Sequence, residues 1–360
     1  MESQVSSSFR IGNQVVGLNE PTYFIADIAA NHDGDLHRAK DLIYLAAEAG
    51  SDAAKFQHFT AMTIVSDRGF RDLGGDLSHQ ASWQKSVFEV YQDASINPDW
   101  TPILKETCKQ AGIEFFTSPY SFQLVDEVDP YVPAYKVGSG DITWTDIIEH
   151  MAKKGKPILI ATGASTTDDV SRAVHAALRI TPDVCVMQCN TNYTGSTENF
   201  SHIHLRVIET FREMFPGMVL GLSDHTPGHA TVLGAIALGA RVVEKHFTDD
   251  CGREGPDHGF SMDPVSWRLM VDHSRELESA LGSPVKDIAD NEIDTIVVQR
   301  RSIRAARDIS AGQVIQSEDL EVLRPCPEDG IQPYQLNEIV GSVMGLDVLK
   351  GKHIRWTDLK

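Results

Sequence analysis

The chain has 360 residues, 41% hydrophobic and 23% charged, with 32 Lys and Arg against 51 Asp and Glu for a formal net charge of −19. That length suits about two domains, and the acid excess argues against nucleic acid or an anionic membrane as partner. No apolar run reaches the roughly 18 residues of a membrane helix, and the opening MESQVSSSF lacks a signal-like region, which predicts a frayed start and a cytoplasmic protein.

In chain order, residues 23–29 read as a buried strand with the exit loop Asn31-His32-Asp33-Gly34. Leu36, Ala39, Ile43, Ala46 and Ala47 then recur at helical spacing, and Gly50 supplies a stop. Further short apolar runs lie at 53–57, 113–117, 134–137, 157–161, 184–188, 218–222 and 241–244, most of them separated by amphipathic segments of helix length. Eight strands over about 250 residues is the arithmetic of an α/β TIM barrel. An open doubly wound sheet is the alternative, but no GxGxxG follows the first strand.

Residues 60–100 are too long for a plain crossover and carry Arg68, Arg71, Gly74, Gly75, His79, Trp83, Lys85 and Tyr91. Long loops in compact domains are mostly functional or disordered; the segment reads as a substrate-covering excursion plus a helix, with decoration as the other reading. Asp263-Pro264 opens a last helix, with Val265, Leu269, Leu277 and Leu281 on one face and Gly282 ending it.

The boundaries that follow are a barrel domain over 1–282, a charged linker over 283–298 and a small domain over 299–360. In the small domain DISAGQVIQSEDL (308–320) echoes DVLKGKHIRWTDL (347–359), keeping Asp308/Asp347, Gly312/Gly351, Ile315/Ile354, Asp319/Asp358 and Leu320/Leu359 in register. Two such copies predict a pseudo-symmetric β-rich fold with a packing or dimerisation role. The five cysteines, Cys108, Cys185, Cys189, Cys251 and Cys326, show no CxxC spacing and read as reduced thiols.

In a TIM barrel the working residues sit at the C-terminal strand ends. There the chain offers Asp27, Asn31 and His32; Lys55 and Gln57; Thr117 and Ser118; Lys136, Ser139 and Asp141; Thr162 and Gly163; Gln188, Asn190, Asn192 and Tyr193; and Ser223, Asp224, His225, Glu244, Lys245 and His246. His225 and His246 close successive apolar runs, and neighbouring strands lie about 4.8 Å apart, so both rings can reach one ion. Imidazole suits Mn, Fe, Zn or Co; loop hydrogen bonding is the blander reading. Lys55 and Lys136 interrupt apolar strands, and a buried ammonium requires an anion. That anion is either an internal partner (Asp27, Asp141 or Glu244) or, the favoured reading, a substrate phosphate or carboxylate cradled also by Ser118, Ser139 and the Gly-rich turns. A Schiff-base lysine is the rival, which the histidine pair argues against.

YFIADIAANHDGDLHRAKDLIYLAAEAGSDAAKFQ, PAYKVGSGDI, GLSDHT, VVEKHFT, GPDHGFSM and RRSIRAARDI, in this order over about residues 15–359, resemble the sialic acid synthase family. The resemblance implies a TIM barrel followed by a small antifreeze-protein-like (SAF, β-clip) domain. It implies a transferase that condenses phosphoenolpyruvate with an open-chain amino sugar such as N-acetylmannosamine and releases phosphate by C–O cleavage. It also implies a divalent metal, manganese first with magnesium or cobalt as alternatives, and a domain-swapped homodimer in which a small-domain arginine reaches the partner's active site.

Carried over by position, His225 and His246 hold the metal. Lys55, Lys136, Ser118, Ser139 and Ser223 bind phosphoenolpyruvate; Gln57, Tyr193 and Asp257 face the sugar; Arg324 is the arginine given to the partner. Asp27, Glu244 and His246 stand at the reacting centre, with Asp27 or Glu244 moving protons. The chain departs from the family at Asp27 and Asp141, where glutamate is usual, at Ala161, where serine is common, and in Cys189-Asn190-Thr191-Asn192-Tyr193-Thr194. These leave the sugar open among N-acetylmannosamine, mannose and a diacetamido-trideoxyhexose precursor of legionaminic or pseudaminic acid. A barrel synthase acting on a phosphorylated aldose is the alternative enzyme, and a regulator that has lost catalysis is the alternative class.

Overall fold

The structure, a computed structural model, describes residues 5–73, 80 and 83–360; Gly74, Gly75 and His79 lie outside the described residues. The chain divides into two compact units, 1–282 and 283–360. Residues 8–17, read in part as a frayed end, instead form an antiparallel hairpin of β1 (Ser8–Ile11) and β2 (Gln14–Gly17). Alternation explains it: Phe9, Ile11 and Val16 are buried while Ser8 and Arg10 are exposed.

Eight parallel strands follow: β3 (Tyr23–Asp27), β4 (Ala53–His58), β5 (Glu114–Pro119), β6 (Tyr135–Val137), β7 (Ile158–Ala161), β8 (Val184–Cys189), β9 (Val219–Asp224) and β10 (Ala240–His246). They form one sheet in the order β5-β4-β3-β10-β9-β8-β7-β6, so the first and last strands of the set pair directly. With helices between successive strands this is a TIM barrel. Because side chains alternate along a strand, each strand serves two cores. Tyr23, Ile25, Ala53, Phe116, Leu159, Cys185, Met187, Val219 and Val242 fill the barrel interior together with Phe9, Ile11 and Val16 of the hairpin. Phe24, Ala26, Phe56, Phe115, Ile160, Leu220 and Val243 pack outward against the helices.

The last helix of the unit, Pro264–Leu281, begins at the predicted cap, where the Asp263 carboxylate accepts from the Ser266 amide. Its buried face meets the predicted one only at Leu277, which packs against the core. Trp267, Met270, Val271 and Ser274 are buried, whereas Val265, Leu269 and Leu281 are exposed. Both sets follow helical spacing, and the set containing the large indole takes the core.

Two imidazoles outside the barrel interior set an acid limit on this unit. His58 lies between the hydroxyls of Thr117 (2.7 Å) and Thr101 (2.8 Å), and His32 meets the Trp100 ring edge-on. Burial lowers each pKa to about 4. An unfolded histidine titrates near 6.5, so the stability is complete above that value and is lost as pH falls through it toward 4. His58→Gln is expected to remove on the order of 1–2 kcal/mol of the loss between pH 7 and pH 5. Urea unfolding at the two pH values reads this out, and an unchanged pH slope would count against it.

In the second unit the segment expected as linker holds the helix Ile293–Gln299. Beyond it β11 (Ser302–Ala305) pairs with β12 (Leu320–Leu323). The repeat is physical. Asp347 accepts from the Ala311 amide at 2.7 Å and Asp308 accepts from the Lys350 amide at 2.8 Å, while Ile309 and Val348 bridge. Gly312 and Gly351 take matching positive φ of 85° and 80°. Ile315 and Ile354 are both fully buried, and Asp319 and Asp358 each cap a short turn.

Candidate active site

The inward face of each strand delivers one set of polar groups at its C-terminal end. Ladder register sets Lys55 beside Asp27, Asp27 beside His246, Ser223 beside Glu244, and Gln57 beside Ser118. Lys136 follows the same alternation on β6, inward between Tyr135 and Val137, which pack outward.

At the centre lies a buried charge quartet. Lys55 Nζ donates to Asp27 Oδ2 at 2.6 Å, and Lys136 Nζ sits 3.1 Å from Glu244 Oε1, with Lys55 also 4.0 Å from Glu244. Ser223 Oγ donates to Glu244 Oε1 at 3.2 Å and Gln57 Nε2 to Asp27 Oδ2 at 3.2 Å. Of the partners foreseen for the lysines, Asp27 and Glu244 are therefore engaged. Burial opposes ionisation of Glu244, but Lys136 and Lys55 outweigh it and hold the pKa at about 2. For Asp27 burial prevails over the pull of Lys55, and its pKa is raised. Burial disfavours the Lys55 ammonium too, yet Asp27 and Glu244 keep it charged.

The quartet balances two cations against two carboxylates, but it leaves hydrogen-bonding capacity over. Glu244 Oε2 and Ser118 Oγ are buried without a partner. Ser139 Oγ accepts from the Gly163 amide at 3.0 Å. A side chain at Gly163 would strike Thr191, Ser139 and Cys189, with the nearest contact at 2.5 Å, so the backbone approaches this corner as only glycine allows.

The two histidines come together as expected, with ring centroids 5.4 Å apart. His225 Nδ1 is 2.9 Å from the Asn190 carbonyl, which accepts only; Nδ1 therefore carries the proton and Nε2 keeps its lone pair. His246 Nε2 is 3.6 Å from Asp27 Oδ2, and its buried Nδ1 has no hydrogen bond, with Asp257 Oδ2 at 3.9 Å. Burial lowers the pKa of His225 to about 4 and of His246 to about 3, so both rings are neutral at pH 7, the form that binds metals. Among the described residues no group of three or more His, Cys, Asp or Glu side chains is arranged around a cation. Two neutral imidazoles side by side are donors of the kind a divalent metal takes.

Asp257 is oriented from the β3 exit. Ala29 adopts φ 45°, and the Ala30 amide donates to Asp257 Oδ2 at 3.1 Å. The loop after β10 is tied to the same exit: Asn31 Nδ2 donates to the Phe247 carbonyl and to Ser261 Oγ, both at 2.9 Å, and His258 bonds Asp33 at 3.0 Å and Thr248 at 2.7 Å. Tyr193 stacks edge-on against His225 at 4.4 Å and lies 5.4 Å from Phe260.

Several strand-end candidates lie elsewhere. Thr117 and Gln188 face outward: Thr117 bonds His58, and Gln188 Nε2 donates to the Ile203 carbonyl at 2.8 Å. Asp224 and Lys245 also point to the helix side, where Lys245 Nζ meets Asp224 Oδ2 at 2.5 Å and the Thr226 carbonyl at 2.6 Å. Arg324 belongs to the second unit; its exposed guanidinium donates through Nε to the Gln299 carbonyl at 2.6 Å.

The excursion forms the helices Ala61–Ile64, Asp67–Asp72 and Val87–Ala94. With the barrel mouth it encloses a cavity of about 340 Å³ lined by residues that include Gln57, Ser139, Asp141, Tyr193, His246 and Asp257. Sequence reasoning missed Phe59 and Tyr120, which follow the ends of β4 and β5 by one residue and stack at 5.9 Å in the cavity wall. Burial raises Asp141 and Asp257 to about 6 each.

A profile of the NeuB family matches residues 42–286 and one of the SAF domain matches 300–360. The chain is 32% identical over 350 residues to the N,N'-diacetyllegionaminic acid synthase of Legionella pneumophila, covering 96% of each chain. It is 32% identical over 327 residues to the human N-acetylneuraminate-9-phosphate synthase, covering 91% of this chain and 89% of that one. The crystal structure of the N-acetylneuraminic acid synthetase of Leptospira borgpetersenii shares the fold, with a TM-score of 0.71 and 24% identity over 81% of this chain and 96% of that one. Fold and site thus define a TIM-barrel transferase with an appended SAF domain. The chain belongs to the NeuB family, that of the sialic, legionaminic and pseudaminic acid synthases.

Proposed function

We propose that this enzyme condenses phosphoenolpyruvate with an open-chain amino sugar, forming a nine-carbon 3-deoxy-2-ulosonic acid and inorganic phosphate. The observation that carries the reading is the pair of inward ammonium groups, Lys55 and Lys136, opening beside the neutral imidazoles of His225 and His246.

A three-carbon acid phosphate brings more negative charge than the mouth of an acidic barrel tolerates. Lys55 and Lys136 offset it, while the hydroxyls of Ser118, Ser139 and Ser223 donate hydrogen bonds to its oxygens. His225 and His246 would hold a divalent cation, manganese in the first instance. Such a cation supplies Lewis-acid polarisation of the sugar aldehyde. Gln57, Tyr193 and Asp257 position the sugar so that its carbonyl carbon meets the vinyl carbon of phosphoenolpyruvate. The C–C bond forms there, water adds at the carbon bearing the phosphate ester, and the C–O bond breaks to release phosphate. Glu244, held ionised by two lysines, is a charge stabiliser; Asp27, whose pKa is raised, is the better proton acceptor of the two.

The test is phosphate release in the presence of phosphoenolpyruvate, a divalent metal and each candidate sugar, with the product identified by mass spectrometry. Phosphate release that ignores the sugar, or binding without turnover across the panel, would overturn the reading.

The second unit enters through its exposed arginine. In a domain-swapped homodimer Arg324 reaches the sugar of the other copy. Arg324→Ala is then expected to raise the sugar KM about tenfold or more and leave that of phosphoenolpyruvate within about twofold. Equal effects on both would remove the arginine from the sugar site.

A further inference from the structure

The two central histidines stand at chain positions of unequal support. His246 is the last residue of β10, and its carbonyl accepts from the Met262 amide at 2.8 Å. His225 lies one residue past Asp224, where β9 and its ladder with β10 end. Side chains that share one ion have to be held within about 0.5 Å of their working positions. The backbone at His225 therefore needs a hold that the ladder does not give.

That hold comes from the helix side of the sheet. Asp224 and Lys245, each the residue before one histidine, are buried and lie opposite each other in the β9–β10 register. Lys245 Nζ meets Asp224 Oδ2 at 2.5 Å and donates to the Thr226 carbonyl at 2.6 Å. Asp224 Oδ1 accepts from the Thr226 amide at 3.1 Å. Asp224 Oδ2 accepts from the Thr226 hydroxyl at 2.8 Å and from the Thr231 hydroxyl at 2.7 Å, the latter in the first turn of the helix Ala230–Ala237. The residue after His225 is thus bonded through its amide, its hydroxyl and its carbonyl to the two residues that precede the histidines.

Neither charged side chain lines the cavity at the barrel mouth. A buried ion pair is also a poor source of stability, since well-packed apolar residues of like volume serve as well. What this pair supplies is position. Resting on the function proposed above, we propose that Asp224 and Lys245 are positioning residues: their ion pair, acting through Thr226, sets the spacing of the His225 and His246 imidazoles and with it the affinity for the divalent cation.

The probe is Mn(II) alone, titrated into the full-length enzyme and followed by electron paramagnetic resonance. The double variant Asp224→Asn with Lys245→Met cuts the tie between the strands without leaving a lone buried charge, so its unfolding midpoint without metal should stay near that of the wild type. Its Mn(II) dissociation constant is expected to rise at least about tenfold. In phosphate release the Mn(II) concentration for half-maximal rate should rise by a similar factor, while the KM for phosphoenolpyruvate at saturating Mn(II) stays within about twofold. Thr231→Val keeps both charges and removes one hydrogen bond from the carboxylate; it should raise the Mn(II) constant about threefold and leave phosphoenolpyruvate unaffected.

A folded double variant that binds Mn(II) as the wild type does overturns the inference while the synthase reading stands. So does a KM for phosphoenolpyruvate that rises in step with the Mn(II) constant, which would make the pair a general support of the barrel end. If the double variant does not fold, Thr231→Val decides, and an unchanged Mn(II) constant there overturns the inference. A wild-type enzyme that binds no Mn(II) and releases phosphate without it overturns the metal reading and the inference together.

Discussion

Lys136→Met is expected to abolish phosphate release, by about a thousandfold or more, and to destabilise the barrel by about 3 kcal/mol at pH 7. The side chain is buried, and its ammonium lies 3.1 Å from Glu244 Oε1. Without it Glu244 keeps a serine hydroxyl at 3.2 Å and Lys55 at 4.0 Å, but Lys55 is already bonded to Asp27 at 2.6 Å. The other carboxylate oxygen has no partner to compensate.

The pH dependence follows from the sign of the shift. In the wild type the Glu244 pKa is depressed to about 2, so its contribution is present above the unfolded value near 4.5 and is lost as pH falls below it. In the variant the Lys136 contribution is gone while burial and the more distant Lys55 remain, so the pKa moves up and the destabilisation grows with pH. The denaturant midpoints of variant and wild type should therefore draw closer from pH 7 to pH 4.5 and meet only as the pH falls further toward 2, where the wild type loses the Glu244 contribution as well. Lys136→Met combined with Glu244→Gln should recover stability to within about 1 kcal/mol and recover no turnover. Restored turnover in the double variant would make Lys136 a structural partner of Glu244 and nothing more.

The same pair marks what a sequence can yield. A lysine inside an apolar run announces a buried charge, and two-residue alternation tells which side it faces. The sequence reading placed Asp27, Lys55, Gln57, Ser118, Lys136, Ser223 and Glu244 at C-terminal strand ends, and the alternation seen in the structure turns them inward. It does not distinguish an internal partner from a substrate, because Asp27 and Glu244 answer the lysines as well as a ligand would. Gathering strand-end residues without regard to alternation also brought in Thr117, Gln188, Asp224 and Lys245, which are odd in the count from an inward neighbour and find partners on the helix side.

Elements whose pattern repeats were legible: the eight strands, and the small-domain echo whose aspartates reach across to each other's turns. The buried face of the helix Pro264–Leu281 was legible only at Leu277, since a neighbouring stripe carrying the large Trp267 takes the core. The aromatic wall from Phe59 to Tyr91 was invisible for another reason. It joins strand exits and a loop helix that share no period, and only three-dimensional packing brings them to one cavity.

His225→Ala is expected to remove metal-dependent phosphate release, again by about a thousandfold or more, and it tests a step that precedes any chemistry. In the wild type a saturating divalent cation should raise the unfolding midpoint, since a ligand at a hundred times its dissociation constant stabilises the fold by about 2.7 kcal/mol. The variant should lose that shift and the electron paramagnetic resonance signature of bound Mn(II), while its midpoint without metal stays near that of the wild type. The geometry predicts so mild a structural effect because the His225 ring is held by a hydrogen bond to the Asn190 carbonyl and leans on Tyr193 and Phe260, which have each other at 5.4 Å. His246→Ala should be harsher, since that ring also borders Asp27 at 3.6 Å and packs 4.8 Å from Phe260. Persistence of the metal-induced shift in both variants would place the cation away from the imidazole pair and leave the two lysines as the centre's only electrophilic elements.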